Sequence, residues 1–438
     1  MSSVNGRMVN NMQWNISATF LGRLAGPLLQ LLVARLLEPA AFGLFAVVLV
    51  FVSFAEVIRD FGVTQIFVMR QSPDHHINYQ FTLQLGLAIV LAFVALILAP
   101  VAASALQLDA LSVLLPLSAL VLFATAISDP LGALFLKKQN YKAYALRQVI
   151  TPLVSGLVAW LLAANGYGVY ALVIGLIAGH YATALLMWLK SNHQLRLQWS
   201  KEDVAPLLSG GRHIMAQRMS GFLINSLDAI PISYNLGTAQ VGIYRMGGQL
   251  AQLGPNIVLP QAIQVLFTEF SSFKDKTQIQ RHFDRYVMIA GPASIVYAIA
   301  AYLLAPPLIP WLLGPQWVAL VPVIQLMSAT VPTGYLAMLN YETARSMAVV
   351  RPFTYYSVLR SIVTLGAIIV ASMYSFKAVV FSAACVAIIA TLVNELVFYR
   401  SQKAVRLLAS KLVILCLALA WSIFVAVSLY HSPSWSMG

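Results

Sequence analysis

Apolar runs decide what this chain can be. Thirteen of them follow one another, at residues 14–36, 41–69, 79–102, 111–136, 145–164, 168–189, 207–235, 239–268, 284–305, 318–342, 353–373, 377–399 and 408–430. Each reaches or exceeds about 20 residues, the length at which a helix crosses the hydrocarbon core of a bilayer. Continuous runs of that length exclude a β-barrel, whose strands alternate over about ten residues. Only 9% of the 438 residues are charged and 60% are hydrophobic, against about 25% charged in a soluble domain. The expected fold is an all-α polytopic membrane protein of about 13 transmembrane helices.

Basic residues give the orientation, because cytoplasmic loops hold the excess of Lys and Arg. With the N-terminus inside, 20 of the 27 Lys and Arg fall in cytoplasmic ends and loops, Arg147 and Lys411 among them. Only Arg35 and Lys377 fall outside, and Arg23, Arg59, Arg218, Arg245 and Arg360 lie inside spans. The net charge of +13 is therefore an orientation signal, and no nucleic-acid partner is implied. The polar start, Met1 to Gln13, is not followed by a short apolar core with a small-residue cleavage site, so the first run is expected to stay in the protein.

The chain reads as a parallel repeat. Leu36–Phe45 has a counterpart in Asn235–Tyr244. Six helices precede the polar stretch 191–206 and six follow it. The expected organisation is a six-helix lobe over 1–190, a cytoplasmic linker over 191–206, a second six-helix lobe over 207–400, and an added helix and tail over 401–438. A pseudo-two-fold axis along the membrane normal relates the lobes. Outside loops are short, and neither 191–203 nor 271–284 is long enough to be a catalytic domain.

Polar residues interrupt this pattern in stripes. Asn15, Thr19, Arg23, Gly26 and Gln30 fall within roughly 80° of a helix circumference. Ser53, Glu56, Asp60 and Thr64 repeat the device in the second span. Arg218, Gly221, Asn225 and Asp228 do so in the seventh, and Arg245, Gln249, Gln252 and Asn256 in the eighth. Facing lipid, an arginine at a helix centre costs about 2.5–3.5 kcal/mol even on a lenient scale. The stripes are therefore expected to line a water-filled path between two lobes. Plainer readings stand beside this one. Amides in membrane helices often only join neighbouring helices. Each arginine could simply pair with an acid, Arg59 with its neighbours Glu56 or Asp60, and Arg360 could face either way. The deep acids Glu56, Asp60, Asp129 and Asp228 are either such partners or sites that bind a coupling proton or sodium ion. A mainly cationic face suits an anion with a large polar part, because the guanidinium fork matches phosphate and carboxylate.

Other signals are weaker. His75-His76 reads as a solvated loop, and His180 and His213 as structural. Cys385 and Cys416 read as packing residues. No metal site, cofactor motif, phosphate-binding glycine loop or nucleophile elbow is present, so neither a cofactor nor enzymatic activity is expected.

The run Val33-Ala34-Arg35-Leu36-Leu37-Glu38-Pro39-Ala40-Ala41-Phe42-Gly43-Leu44-Phe45, followed by Asp60-Phe61-Gly62-Val63-Thr64-Gln65, resembles the start of bacterial polysaccharide exporters of the Wzx type. These belong to the multidrug/oligosaccharidyl-lipid/polysaccharide (MOP) flippase superfamily, and the likeness is to the colanic-acid and exopolysaccharide branch. The resemblance implies a V-shaped, MATE-like alternating-access carrier in the bacterial inner membrane. It would move an undecaprenyl-pyrophosphate-linked oligosaccharide from the cytoplasmic to the periplasmic leaflet, with a polymerase and export machinery downstream and membrane lipids around it. A cationic lumen is implied, which Arg23, Arg218 and Arg245 would supply, with Arg59 and Arg360 as further candidates. Many relatives have fourteen helices, against thirteen here. Drug exporters of the superfamily rely on an acid in the first helix where this chain has Arg23. The alternatives are a lipid II flippase or multidrug antiporter of the same superfamily, and, from another class, a membrane glycosyltransferase or polymerase.

Overall fold

The computed structural model describes residues 25–69, 73–257, 276–347, 349, 351–401 and 409–432. These are helices and short connections, with no strand among the described residues. In chain order the helices are α1 (Ala25–Ala34), α2 (Pro39–Asp60), α3 (Val63–Met69), α4 (His76–Leu106), α5 (Leu111–Ser118), α6 (Leu120–Lys137), α7 (Tyr141–Ala164), α8 (Val169–Lys190), α9 (Lys201–Ser226), α10 (Ala229–Leu236) and α11 (Thr238–Ala251). Then come α12 (Lys276–Leu313), α13 (Leu320–Ala329), α14 (Val331–Ser346), α15 (Arg351–Ser372), α16 (Phe376–Ser401) and α17 (Ala409–Tyr430).

Among the described residues, nine helical stretches are long and apolar enough to cross a membrane, α5 and α6 counting as one, and the α13–α14 pair makes a tenth. That pair bends by 41° at Thr330. Pro332, in the first turn of α14, has no amide hydrogen to bond back across the joint, which permits the bend. Among the described residues the expected count of thirteen is not reached. The runs 14–36 and 239–268 extend outside the described residues. The run 207–235 differs in substance: α9 is too polar to count as a span, and it stops before Leu227 and Asp228. The helix expected from residue 41 starts at Pro39, where a proline suits the first helical turn.

Packing divides the chain into two compact units, Met1–Ala229 and Ile230–Gly438. In the first, α9 packs on α2 and α3, so the packing boundary lies beyond the 191–206 stretch. That stretch is pinned to the start of α4: Asn78 Nδ2 donates to Gln198 Oε1 (3.1 Å), and Asn78 Oδ1 accepts from the Arg196 amide (3.2 Å). At the same end Lys137 and Lys138 clasp Asp74 at 2.7 and 3.0 Å, and the Lys137 hydrogen bond holds that carboxyl below its ordinary range. His76 is half-buried, 3.5 Å from Asp203, rather than solvated as expected.

In a bilayer the core is held by close contact, since lipid tails are as apolar as leucine. Helices α7 and α8 show this. Gly175 and Gly179, four residues apart on α8, meet the backbone of α7; a Cβ on either would lie 2.6 Å from the Ser155 carbonyl or 2.5 Å from that of Thr151. Beside them the Thr151 and Thr183 hydroxyls bond at 2.6 Å. The second unit is built on Phe283, Leu336, Leu339, Phe353 and Phe398. Large apolar side chains such as Val90, Phe93 and Leu96 on α4 are exposed, as lipid-facing positions are. Cys385 and Cys416 are exposed too, so they are not the packing residues expected.

Candidate functional site

The second expected span is broken toward its C-terminal end, and the break builds the site. α2 ends at Asp60, Phe61 and Gly62 take left-handed conformations (φ 47° and 73°), and α3 starts at Val63. Phe61 caps α2 by donating its amide to the Val57 carbonyl at 3.2 Å. The turn is pressed against α9 through two glycines. A Cβ on Gly62 would lie 2.7 Å from the Gly211 carbonyl, and one on Gly211 would collide with the Phe61 carbonyl. Seven residues after Gly211, two turns along the same face of α9, stands Arg218.

Arg218 pairs with Asp60. Asp60 also accepts from the Thr64 hydroxyl and from Gln84 Nε2 (3.2 Å). Gln80 Nε2 donates to Thr64 Oγ1 at 2.8 Å. Gln84 Oε1 accepts from Arg59 Nη1 at 3.0 Å, and Arg59 forms an ion pair with Asp129 of α6. Arg147 of α7 holds the other oxygen of Asp129 at 2.9 Å. Glu56 lies within Coulombic reach of Arg59, Asp129, Arg147 and Asp60, and His180 of α8 within reach of Asp129, Arg147 and Arg59. Three guanidinium groups and three carboxyl groups thus meet inside the first unit, contributed by α2, α6, α7 and α9 and bridged by the glutamines of α4.

Exposure separates the arginines. Arg59 is 1% exposed and bonded on two sides. The side chains of Arg218 and Arg147 are 38% and 34% exposed, and each meets its carboxylate through Nη1. A guanidinium has five donors, so both arginines retain hydrogen-bonding capacity toward an incoming anion. Among the described residues no cluster of His, Cys, Asp and Glu is placed to hold a metal.

Of the expected site residues, the structure brings together Arg59, Arg218, Asp60, Asp129 and Glu56. The partner of Arg59 is Asp129, 70 residues away, and not an acid on its own helix. Asp228 is half-buried in the break between α9 and α10. Arg245 and Gln249 lie one turn apart on α11, Gln252 caps its C-terminus, and Asn256 is exposed; these belong to the second unit. Arg360 is exposed on α15. Arg23 and the side chains of Asn225 and His213 lie outside the described residues.

The sequence reading missed Arg147, Gln80 and Gln84. Arg147 passed as an orientation signal, although it falls in the third position of its apolar run. The two glutamines, four apart at the start of an apolar helix, were a stripe of the same kind as the others. It also missed a second ionic centre. Lys411, counted as a cytoplasmic residue, is 1% exposed. Its Nζ donates to Glu395 Oε2 (2.7 Å) and Asn340 Oδ1 (2.8 Å) among the rings of Phe283, Phe398 and Tyr399 at 4.9, 4.9 and 5.0 Å. Asn340 Nδ2 completes it by donating to Glu395 Oε1 at 2.8 Å. This centre ties α17 to α14 and α16.

Residues 32–322 match the family described as polysaccharide biosynthesis protein. The chain belongs to that family. The matched stretch includes the Val33–Phe45 run and every member of the Arg59–Arg218 cluster. Among curated relatives, the chain is 22% identical over 337 residues to the lipopolysaccharide biosynthesis protein WzxC of Escherichia coli K12, covering 74% of this chain and 67% of that one. It is 23% identical over 343 residues to the succinoglycan biosynthesis transport protein ExoT of Rhizobium meliloti, covering 77% and 69%. Among solved structures it is similar to the lipid II flippase MurJ in an inward closed conformation, with a TM-score of 0.74 at 12% identity over 96% of this chain and 97% of that one. An inward-facing MATE transporter of the MOP superfamily gives 0.56 at 14% identity over 90% and 96%. At these identities the likeness is one of fold. This family member is a multi-pass helical membrane protein with the MOP fold; of the proteins it resembles, ExoT, MurJ and the MATE protein are named as transport proteins or flippases.

Proposed function

We propose that this polysaccharide biosynthesis family member is a flippase. It moves an undecaprenyl-pyrophosphate-linked oligosaccharide repeat unit from the cytoplasmic to the periplasmic leaflet of a bacterial inner membrane, by alternating access, with its N-terminus in the cytoplasm. The observation that carries this reading is the ionic cluster on α2, α6, α7 and α9, where Arg218 and Arg147 keep exposed donors beside a buried Arg59–Asp129 pair. A pyrophosphate accepts such forked donors in charge-assisted hydrogen bonds. In this mechanism the pyrophosphate draws Arg218 from Asp60, and the freed carboxylate takes up a proton or a sodium ion. Glu56, Asp129 and Asp228 are the further candidates for that coupling. Arg23, Arg245, Arg360, Asn225, Gln249, Gln252 and Asn256 carry contacts to phosphate and sugar in the same reading. The delivered unit passes to a polymerase and export machinery.

The test is mass spectrometry of lipid extracts after deletion of the gene. A completed, pyrophosphate-linked repeat unit is expected to accumulate and to disappear on complementation. Accumulation of lipid II, or of no lipid-linked saccharide, contradicts the assignment.

A further inference from the structure

An apolar cavity of about 190 Å³ lies in the first unit, away from the polar groups of the cluster. Its walls include Phe54 and Ala55 of α2, Leu91 and Leu98 of α4, and Leu122 of α6. The one polar side chain in its lining is Ser118, whose hydroxyl is engaged with the Leu115 carbonyl at 2.8 Å. A lining of this kind offers a water molecule no free partner and suits a hydrocarbon chain. Several of its wall residues, Phe54, Val94 and Leu98 among them, are also exposed at the surface of the unit.

Three of the four helices that wall the cavity, α2, α4 and α6, also carry the cluster, at one end of it; the fourth is α5. On α2, Arg59 follows Ala55 by one turn. On α4, which runs the opposite way, Gln84 precedes Leu91 by two turns. On α6, Asp129 follows Leu122 by two turns. A fourth contact links the cavity wall to Arg218: Phe54 packs on Phe222 at 5.6 Å between ring centroids, and Phe222 stands one turn after Arg218 on α9. Cationic donors thus stand at one end of a hydrocarbon slot. By the distribution of basic residues, that end is the cytoplasmic one.

We propose that this cavity seats the isoprenoid chain of the anionic lipid-linked substrate while its pyrophosphate lies against Arg218. The inference rests on the carrier reading above and adds where the tail goes. Leaving the bilayer for the cavity brings a chain no hydrophobic gain, because both are apolar. A free phospholipid chain therefore has little reason to stay. A chain tethered to a head group already held at Arg218 enters at high effective concentration, so the cavity selects by attachment and shape.

The test uses the full chain in proteoliposomes of phosphatidylethanolamine and phosphatidylglycerol. One sample receives a polyprenyl pyrophosphate with a diazirine on its chain, and a parallel sample a phosphatidylglycerol with a diazirine on an acyl chain. Labelled positions are mapped by mass spectrometry. The polyprenyl probe is expected to label α2, α4 and α6 at the cavity and to be displaced by unlabelled polyprenyl pyrophosphate. Cavity labelling falls about fivefold, the factor that ~1 kcal/mol gives, in Ala95→Phe, which fills the cavity from its α4 wall, and separately in Arg218→Gln. Labelling by the phospholipid probe at the same positions, undisturbed by polyprenyl pyrophosphate, overturns the proposal. Displaceable labelling confined to other helices overturns the cavity as a tail site and leaves the carrier reading in place. No displaceable labelling anywhere on the chain overturns both. The wild-type maps decide these outcomes even if a variant fails to fold.

Discussion

Arg59 and Arg218 sit in one network and have different duties. Arg59 is buried against Asp129 and Gln84, so Arg59→Leu leaves a carboxylate inside the unit with half its partners. Losing one side of a buried pair costs about 3–5 kcal/mol, and the variant is expected to lose its thermal unfolding transition in detergent or to vanish from the membrane. Arg218 is more than a third exposed. Arg218→Gln keeps a hydrogen-bonding group beside Asp60 and is expected to leave the amount of membrane-inserted protein unchanged and to abolish polymer export. Normal export would remove Arg218 from the substrate path. The Lys411–Glu395 centre has the opposite character, being structural on every side. Lys411→Met and Glu395→Met should each destabilise the fold by about 3–5 kcal/mol, whereas the double variant recovers most of the loss, since an apolar pair of similar volume replaces a buried ion pair with little penalty. A double-mutant cycle on unfolding temperature reads this; additive losses would show that the pair is not coupled.

At the scale of elements, the break at Phe61–Gly62 matters more than any span. It ends α2 at Asp60, and the glycine contact with Gly211 brings α9, and with it Arg218, against that end. Gly211→Val puts a branched side chain where a Cβ already collides with the Phe61 carbonyl. It is expected to cost at least the ~1–3 kcal/mol typical of overpacking and to lower export along with unfolding temperature. An unchanged unfolding temperature would show that the contact is loose. The pattern of apolar runs foretold most helices to within a few residues, because hydrocarbon imposes a length that the chain cannot hide. It foretold the break poorly: Gly62 within a span looks like any small residue until its partner on α9 is known. The stripes were legible for the same reason as the helices. Residues three or four apart share a face, and Glu56 and Asp60 do so on α2, while Thr64 reaches Asp60 by a hydrogen bond across the break. What those faces meet was not legible. Asp129 reaches Arg59 across 70 positions and Arg218 reaches Asp60 across 158, and one helical period carries no information about such pairings.

For the whole molecule, the 20-to-2 division of basic residues predicts sidedness. With Cys385 and Cys416 replaced by serine, Asn165→Cys should react with an impermeant maleimide added from outside intact spheroplasts. Gln139→Cys should react only after permeabilisation. The reverse pattern would invert the chain and put the cationic end of the α2–α4–α6 cavity at the wrong leaflet for loading. Family membership, the MOP fold and the buried guanidinium cluster meet in one claim: an anionic lipid-linked saccharide is handled by Arg218 as it crosses. The most direct measurement reconstitutes the chain alone in proteoliposomes with a pyrophosphate-linked oligosaccharide and follows the fraction of sugar reached by an external glycosidase. With wild-type protein that fraction should rise with time, and with folded Arg218→Gln it should stay at the protein-free baseline. Equal rates for the two would contradict the account.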